Sequence, residues 1–208
     1  MKLAIALVSS AFALPALAQN LLINGSFEQP ALPFAGTSGF TDGQTIGAGW
    51  IVESTTATAT VIHDAYTGGG AAWPVGSDGN QYLYVGDSLS TSVISQTVNL
   101  AGNAQHLLTF DFATFQSPAI DGRLTLDILQ GNTSILPGGP VVLDIAWATN
   151  QGQFAPQSLS FTTLAPGAYT VRFASTQGIV ANVDNFVLVP APAAAGALLL
   201  LARRARRR

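Results

Sequence analysis

Short segments in which apolar and polar residues alternate run through most of this sequence, and they constrain its fold more than any other feature. Leu108, Phe110 and Phe112 alternate with polar or small residues, which is the period of a strand with one buried face. Similar β-rich segments lie at 61–62, 81–85, 93–98, 107–115, 124–129, 141–147, 159–163, 169–174 and 183–189. Glycine- and proline-rich turns separate them. This spacing predicts an all-β fold, a β-sandwich or jelly roll.

The remainder of the central region shows no helical stripe, no second domain and no internal repeat. Residues 28–49 are rich in Gly, Pro and Thr without periodicity, which predicts a long loop packed over the sandwich. The chain has no cysteine, so the core must stabilise the fold without disulfides. We predict one sandwich domain over residues 19–188.

The first residues have the organisation of a secretory signal peptide. Met1-Lys2 is a short positive start, 3–14 is an apolar run, and Ala16-Leu17-Ala18 offers small residues at the positions that a signal peptidase reads. The sequence therefore predicts a signal peptide over residues 1–18, cleavage before Gln19, and export.

The charge of the chain is unevenly distributed. Five of its eight basic residues lie in the last six positions and a sixth is Lys2. Without the two ends, two arginines face eleven acidic residues, a formal charge of −9. Such an acidic body repels phosphate backbones and excludes nucleic acid as a partner. It suits divalent cations, or solubility outside the cell.

Three ordered groups of residues carry a family resemblance. They are Asn20-Leu21-Leu22-Ile23-Asn24-Gly25-Ser26-Phe27-Glu28 followed by Gly49-Trp50, then Gly79-Asn80-Gln81-Tyr82-Leu83-Tyr84-Val85 with Ile94-Ser95-Gln96-Thr97-Val98, and finally Asn182-Val183-Asp184-Asn185-Phe186-Val187-Leu188. Together they resemble the galactose-binding-like jelly rolls of carbohydrate-binding modules, plant cell-wall proteins and bacterial proteins with sorting tails. The resemblance implies a jelly roll that binds glycan or polysaccharide, although one fold hosts many kinds of site.

The C-terminal segment 189–208 resembles a PEP-CTERM sorting signal. Val189, Pro190, Ala191 and Pro192 form the motif, with Ala191 where glutamate is more typical, and an apolar run and the arginine cluster follow. The resemblance implies processing by an exosortase in a Gram-negative bacterium, and a final location in the cell envelope, at the surface or in the medium. The apolar run 193–202 is shorter than the about 20 residues of a full span, which favours a transient contact with the inner membrane. The arginines favour retention on the cytoplasmic side.

The resemblance also implies one structural calcium ion where the N-terminal loop meets the last strand. The matching residues are Glu28 and Asp184, with backbone carbonyls nearby, and calcium prefers such oxygen ligands. In the alternative interpretation, Glu28 caps a turn and Asp184 forms hydrogen bonds with a loop.

Aromatic residues are the candidates for ligand binding, because the apolar face of a sugar stacks on flat rings. Trp73 follows the glycine run 68–70 and precedes Pro74, and we predict that Trp73, Tyr66, Tyr82 and Tyr84 bind ligand. Trp147 is a weaker candidate. The alternative is core packing, which we expect for Trp147 and for Trp50 because both lie in strand-like segments.

No feature of the sequence favours catalysis. Among eleven acidic residues some close pair is inevitable, and Asp111, Asp127 and Asp144 are expected on solvated sheet faces. Two histidines are too few for a three-histidine zinc site, and no nucleophile elbow or phosphate loop occurs. We therefore predict a non-catalytic, glycan-binding module. The alternatives are a purely structural matrix or adhesion protein, and a hydrolase or lyase acting on polysaccharide.

Overall fold

The computed structural model describes residues 19–53, 59–67, 73–86, 91–114, 122–146, 152–175 and 181–191. Within these ranges the chain forms thirteen strands and no helix. The strands are β1 (Thr37–Phe40), β2 (Thr45–Ile46), β3 (Trp50–Val52), β4 (Ala59–His63), β5 (Gln81–Val85), β6 (Val93–Leu100), β7 (Ala104–Ala113), β8 (Gly122–Gln130), β9 (Thr133–Ser134), β10 (Val141–Ile145), β11 (Ala155–Thr163), β12 (Gly167–Ser175) and β13 (Ala181–Pro190). Accordingly, the described part contains no helix that could span a membrane.

Two antiparallel sheets form the architecture. The first sheet has the strand order β1-β4-β5-β13-β7-β11, and the second has the order β10-β8-β12-β6-β3-β2, with β9 paired to β8. Buried apolar residues from both sheets form one cluster, so the sheets pack face to face. Neighbouring strands often come from distant parts of the sequence, as where β13 lies between β5 and β7. The predicted all-β jelly-roll sandwich is confirmed.

Alternating burial along the long strands shows why these segments become strands. In β7, Leu108, Phe110 and Phe112 are buried, whereas Thr109 and Asp111 are partly exposed. The strands β8 and β12 repeat the pattern. Each fully buried large apolar side chain contributes about 1.5–3 kcal/mol. Burial of these faces is therefore the main source of stability in a chain without cysteine.

Phe186 in β13 lies at the centre of an aromatic core. Its ring stacks on those of Phe110 and Phe173, with centroid distances of 4.8 Å and 5.0 Å. Trp50 and Phe27 meet it edge-on at 5.3 Å and 6.1 Å. The motifs around Phe27, Trp50 and Phe186 therefore meet inside the sandwich, which explains their aromatic character. The expected core position of Trp50 is confirmed.

The N-terminal segment 20–28 runs beside β13. The side-chain amide of Asn20 donates to the Phe186 carbonyl at 2.9 Å, and the Leu188 N–H donates to Asn20 Oδ1 at 2.9 Å. The Phe186 N–H donates to the Gly25 carbonyl at 2.9 Å. A Cβ atom at Gly25 would lie 2.0 Å from the Phe186 carbonyl oxygen. Only glycine therefore allows the segment to approach the strand this closely.

The expectation that residues 28–49 form a long loop is wrong in part. Strand β1 pairs with β4 at the edge of the first sheet, and β2 pairs with β3 at the edge of the second. These edge strands have only four and two residues. A strand this short shows no clear periodicity in the sequence, and the partner strand supplies the hydrogen bonds that define it.

The acidic residues of the sheets differ in their surroundings. Asp144 is exposed, as expected, and forms an ion pair with Arg123. Asp111 is half-buried. Asp127 is only 6 % exposed, so the expectation of a solvated position is wrong there. The hydroxyl of Ser134 in β9 donates to Asp127 Oδ1 at 2.5 Å, because the short hairpin between β8 and β9 folds over this carboxylate.

Candidate functional site

Three of the four aromatic residues predicted to bind ligand meet in one group, which we call the aromatic cluster. The ring centroid of Trp73 lies 5.4 Å from that of Tyr66 and 5.5 Å from that of Tyr84. The interplanar angles are 64° and 65°. Edge-to-face contacts at such distances are favourable between aromatic rings. Trp73 is therefore held between two tyrosines.

The aromatic cluster lies on the outer face of the first sheet. Leu83 and Val85 in β5 point into the core, so Tyr84 between them points away from it. All three rings of the cluster are half-buried. A half-buried ring that its neighbours hold in place offers a flat apolar surface at little cost in conformational entropy. That surface has the properties required for stacking of a sugar ring.

Tyr82, the fourth predicted residue, is placed apart from the aromatic cluster. Its side chain is fully buried and its ring lies 5.6 Å from that of Phe154. The hydroxyl has no hydrogen-bond partner among the described residues. Burial and, to a smaller extent, the negative charge of Asp64 raise the pKa of Tyr82 above its usual value. The side chain of Tyr82 is therefore closed to a ligand in this structure.

Asn182 is a polar residue beside the aromatic cluster that the sequence interpretation missed. It pairs with Tyr84 across β13 and β5, and its side chain is fully buried. Its Nδ2 donates to the Thr114 carbonyl at 3.2 Å, whereas Oδ1 has no partner among the described residues. A buried acceptor without a partner is costly. Its position between the apolar residues Ala181 and Val183, at the start of the last strand, was the signal that could have identified it.

Asp184 binds the turn that precedes β5. Its Oδ2 accepts hydrogen bonds from the backbone N–H groups of Ser77 and Asp78 at 2.8 Å and 3.0 Å, and from the Ser77 hydroxyl at 3.1 Å. Its Oδ1 accepts from the Asn185 N–H at 2.7 Å. Burial raises the pKa of Asp184 to about 7, and these hydrogen bonds offset part of the rise.

Glu28 binds the same turn from the other side. Its Oε1 accepts hydrogen bonds from the N–H groups of Asn80 and Gln81, each at 2.8 Å. Between the two carboxylates lies Gly79, with a φ of 88°. A Cβ atom at Gly79 would lie 2.3 Å from Glu28 Oε1. The turn therefore needs glycine both for its backbone angle and for the contact with Glu28.

The donors around Glu28 and Asp184 do not fit the implied calcium site. Calcium takes six to eight oxygen ligands, but both Asp184 oxygens and Glu28 Oε1 accept hydrogen bonds from the turn or its neighbours. The partial positive charge of an N–H group opposes a cation at the same oxygen. The described residues also hold no group of three or more His, Cys, Asp or Glu side chains able to bind a metal. Calcium at this position stays a prediction, and the hydrogen bonds match the alternative interpretation.

The first residues of the proposed sorting motif belong to the sheet. Val189 and Pro190 are the last residues of β13 and pair with Leu107 and His106. The Ala191 N–H donates to the Gln105 carbonyl at 2.8 Å. Paired structure thus continues beyond residue 188, the predicted end of the domain. The signal-peptide region 1–18, Trp147, and the tail from Pro192 onward lie outside the described residues.

Comparisons with known proteins give matches of structure only. No protein-family model matches the sequence, and no curated protein matches it. The fold is similar to that of the carbohydrate-binding module TmCBM61 in complex with β-1,4-galactotriose, with a TM-score of 0.53 and 12 % identity over 83 % of this chain and 99 % of that one. It is also similar to part of the enzymatically active domain of bacteriophage CBA120 tailspike protein 4, with a TM-score of 0.53 and 12 % identity. That match covers 82 % of this chain and 21 % of the tailspike chain.

These similarities concern the fold. Sequence identity of 12 % does not carry individual residues from one protein to another, because a shared fold hosts many unrelated sites. The match covers almost the whole of TmCBM61, so the two proteins share the fold over the full length of that module. The chain has the jelly-roll β-sandwich architecture of carbohydrate-binding modules.

Proposed function

We propose that this chain is a non-catalytic module that binds polysaccharide through the aromatic cluster of Tyr66, Trp73 and Tyr84. The observation that carries the proposal is the position of Trp73, half-buried and held edge-on between two tyrosines. Residues of this type present a rigid apolar surface, and the C–H groups on one face of a sugar ring pack against it.

The charge of the chain narrows the class of ligand. Between residues 19 and 191 two arginines face eleven acidic residues. This field repels anionic polysaccharides at low ionic strength. A neutral glycan carries no such penalty and supplies many hydroxyl groups for polar neighbours. The galactotriose bound by TmCBM61 is a neutral sugar, which supports the same class for this protein.

Retention on insoluble or immobilised polysaccharide tests the proposal. The wild type should bind a neutral polysaccharide such as β-1,4-galactan or xylan saturably. Trp73→Ala should weaken binding about 30-fold, because truncation of an anchoring aromatic residue costs about 2 kcal/mol. Trp73→Phe keeps a ring and should lose less. The melting temperature of each variant shows whether the fold is intact.

Leu164→Ala is the matched control. Leu164 is 79 % exposed and follows β11 at the end of the sandwich away from the aromatic cluster. Its truncation should leave retention unchanged. Full retention of the Trp73→Ala variant on the polysaccharide would show that the aromatic cluster is not the binding site. Wild-type protein without saturable binding would favour a structural matrix role, and release of reducing ends from the polysaccharide would favour a hydrolase.

We further propose that the protein is exported and sorted through its two ends. The charged, apolar and small-residue parts of 1–18 support removal of a signal peptide. The motif at 189–192 and the arginines behind it support processing by an exosortase and a location in the cell envelope or outside the cell. Mass spectrometry of the mature protein tests both ends. A product that retains Met1 and Arg208 would contradict the proposal.

A further inference from the structure

An open groove lies on the outer face of the second sheet, on the side of the sandwich opposite the aromatic cluster. Its volume is about 500 Å³, within the range of small-ligand sites. Thr170 and Arg172 of β12 form its floor, and Asp127 lies beside them in β8. Asn132 in the turn between β8 and β9 forms one wall, and Glu53 lies at the other side.

Strand register builds the charged part of this groove. Arg172 pairs with Asp127 in β8 on one side and with Ser95 in β6 on the other. Its Nε donates to Glu53 Oε2 at 3.1 Å. The Ser95 hydroxyl donates to Glu53 Oε1. The guanidinium is thus held on the sheet by a glutamate that is itself positioned by a serine.

Several polar groups in the groove remain available. The Nη groups of Arg172 donate to no residue in the described part of the chain. Asp127 is 6 % exposed, and its Oδ1 accepts from Ser134 and from the N–H of Ile128 at 2.9 Å. No described residue donates to its Oδ2. Asp127 therefore offers one available acceptor oxygen, and the fixed guanidinium of Arg172 beside it offers available N–H donors.

We infer that this groove is a second saccharide-binding site, and that the chain bridges two glycan strands through opposite faces of the sandwich. The choice of a saccharide rests on the proposed function, whereas the site itself rests on the groove and its available groups. Vicinal hydroxyls of a sugar can donate to Asp127 Oδ2 and accept from the Arg172 Nη groups. The Asn132 amide can do either.

The charges in the groove favour a neutral sugar. Two carboxylates, Glu53 and Asp127, surround one guanidinium, so a uronic acid or sulfated sugar would add a further negative charge to an acidic surface. The groove also offers no aromatic side chain among its described residues. Recognition there is by hydrogen bonds, in contrast to stacking at the aromatic cluster.

Cross-linking of soluble polysaccharide tests the inference. Full-length protein is mixed with β-1,4-galactan, with xylan and, as the anionic comparison, with polygalacturonate, and light scattering and retention are both measured. The wild type should raise the scattering of a neutral polysaccharide. Trp73→Ala and Arg172→Ala should each abolish this rise while keeping saturable retention. The double variant should lose retention as well.

Two further variants control for the fold and for charge. Asn132 is exposed in its turn, so Asn132→Ala should weaken cross-linking without changing the melting temperature. Arg123→Ala removes the other arginine of the same sheet, which pairs with Asp144 outside the groove. It should leave cross-linking unchanged, which distinguishes the groove from a general effect of charge.

The outcomes separate this inference from the proposed function. Complete loss of retention in Trp73→Ala would overturn the second site and leave the aromatic cluster as the binding site. Complete loss of retention in Arg172→Ala, with full retention in Trp73→Ala, would overturn the proposed function and leave the groove as the binding site. Unchanged cross-linking in both Arg172→Ala and Asn132→Ala would overturn the inference that the groove binds saccharide. Retention on neither galactan nor xylan would overturn both proposals, and binding of polygalacturonate alone would overturn the ligand class.

Discussion

Asp184 and Phe186 are two residues apart in β13, yet their side chains lie on opposite faces of the first sheet. The carboxylate of Asp184 binds the turn at 77–78, and the ring of Phe186 lies at the centre of the core. In a regular strand, residues i and i+2 share a face. Pairing with β7 shifts between Asp184 and Val187, and Asn185 has a φ of 53°. This bulge allows one short segment both to hold a loop and to fill the core.

The bulge predicts that position 185 tolerates glycine better than a β-branched residue. Glycine adopts a positive φ freely, whereas a β-branched residue there loses about 1–2 kcal/mol. Asn185→Gly should therefore be more stable than Asn185→Val by about this amount, measured by urea denaturation. Both variants lose the 3.2 Å hydrogen bond from Asn185 Nδ2 to Asp111, so the difference isolates the backbone. Equal stability of the two variants would contradict the bulge.

The contact between the N-terminal segment and β13 predicts that replacement of Gly25 destabilises the protein. A methyl group there would overlap the Phe186 carbonyl oxygen. Gly25→Ala should therefore lose about 1–3 kcal/mol of unfolding free energy, or more if the segment detaches. Gly39→Ala is the control, because its nearest neighbour is Thr60 Oγ1 at 4.0 Å. A stable Gly25→Ala protein would show that residues 20–28 do not pack as described.

The stability of the turn at 77–81 should depend on Glu28. Glu28→Ala leaves the N–H groups of Asn80 and Gln81 without their acceptor, a loss of about 1–3 kcal/mol. Glu28→Gln keeps an oxygen at the same place and should lose less. Hydrogen exchange at these two amides is the direct measurement. Slow exchange in Glu28→Ala would mean that another group protects them.

Chelation distinguishes the hydrogen-bonded turn from a calcium site. Since N–H groups of the turn and of Asn185 donate to Glu28 Oε1 and to both oxygens of Asp184, we expect EDTA to leave the melting temperature of the protein unchanged. A metal that binds only the folded state would stabilise it by mass action. A fall in the melting temperature with EDTA, restored by calcium, would therefore establish the calcium site implied by the resemblance.

His106 should make the protein less stable in acid. Its side chain is 1 % exposed, Nε2 lies 3.3 Å from Thr163 Oγ1, and Nδ1 has no partner among the described residues. Burial lowers the pKa of His106 from its ordinary value of 6.5. Below pH 6.5 the unfolded chain binds the proton more readily than the folded one, so stability is lost as the pH falls.

The comparison of wild type with His106→Gln isolates this effect. The variant should lose less stability than the wild type between pH 7 and pH 5. The subtraction matters because Asp184 acts in the opposite direction: its raised pKa contributes stability at low pH that disappears as the pH approaches about 7. A constant difference between the two proteins across this range would contradict a neutral, buried His106.

Much of the sandwich could be predicted from local patterns. The alternation in β7, β8 and β12 reports a buried face directly, because the side chains of a strand point to opposite sides in turn. Strands β1, β2 and β9 could not be predicted in this way. They have four, two and two residues, and they exist because a longer strand beside them offers free hydrogen-bonding groups.

Side-chain chemistry on its own indicated several of the candidate residues, but not their arrangement. The stacking of sugars on flat rings predicts all four of Trp73, Tyr66, Tyr82 and Tyr84 as ligand-binding residues. Of these, Tyr82 lies buried against Phe154. Strand alternation puts Tyr82 and Tyr84 on one face of β5. Only the packing of other chain segments over that face decides which of the two is partly open.

What the sequence determined by itself is the all-β character, the jelly-roll resemblance and the acidity of the body, because these follow from periodicity and composition. The tertiary structure decided where groups distant in the chain meet: Glu28 and Asp184 on one turn, Trp73 between Tyr66 and Tyr84, and Arg172 between Glu53 and Asp127. Strand order and register bring these residues together. Neither can be deduced from local periodicity, because pairing energy depends on which strands become neighbours.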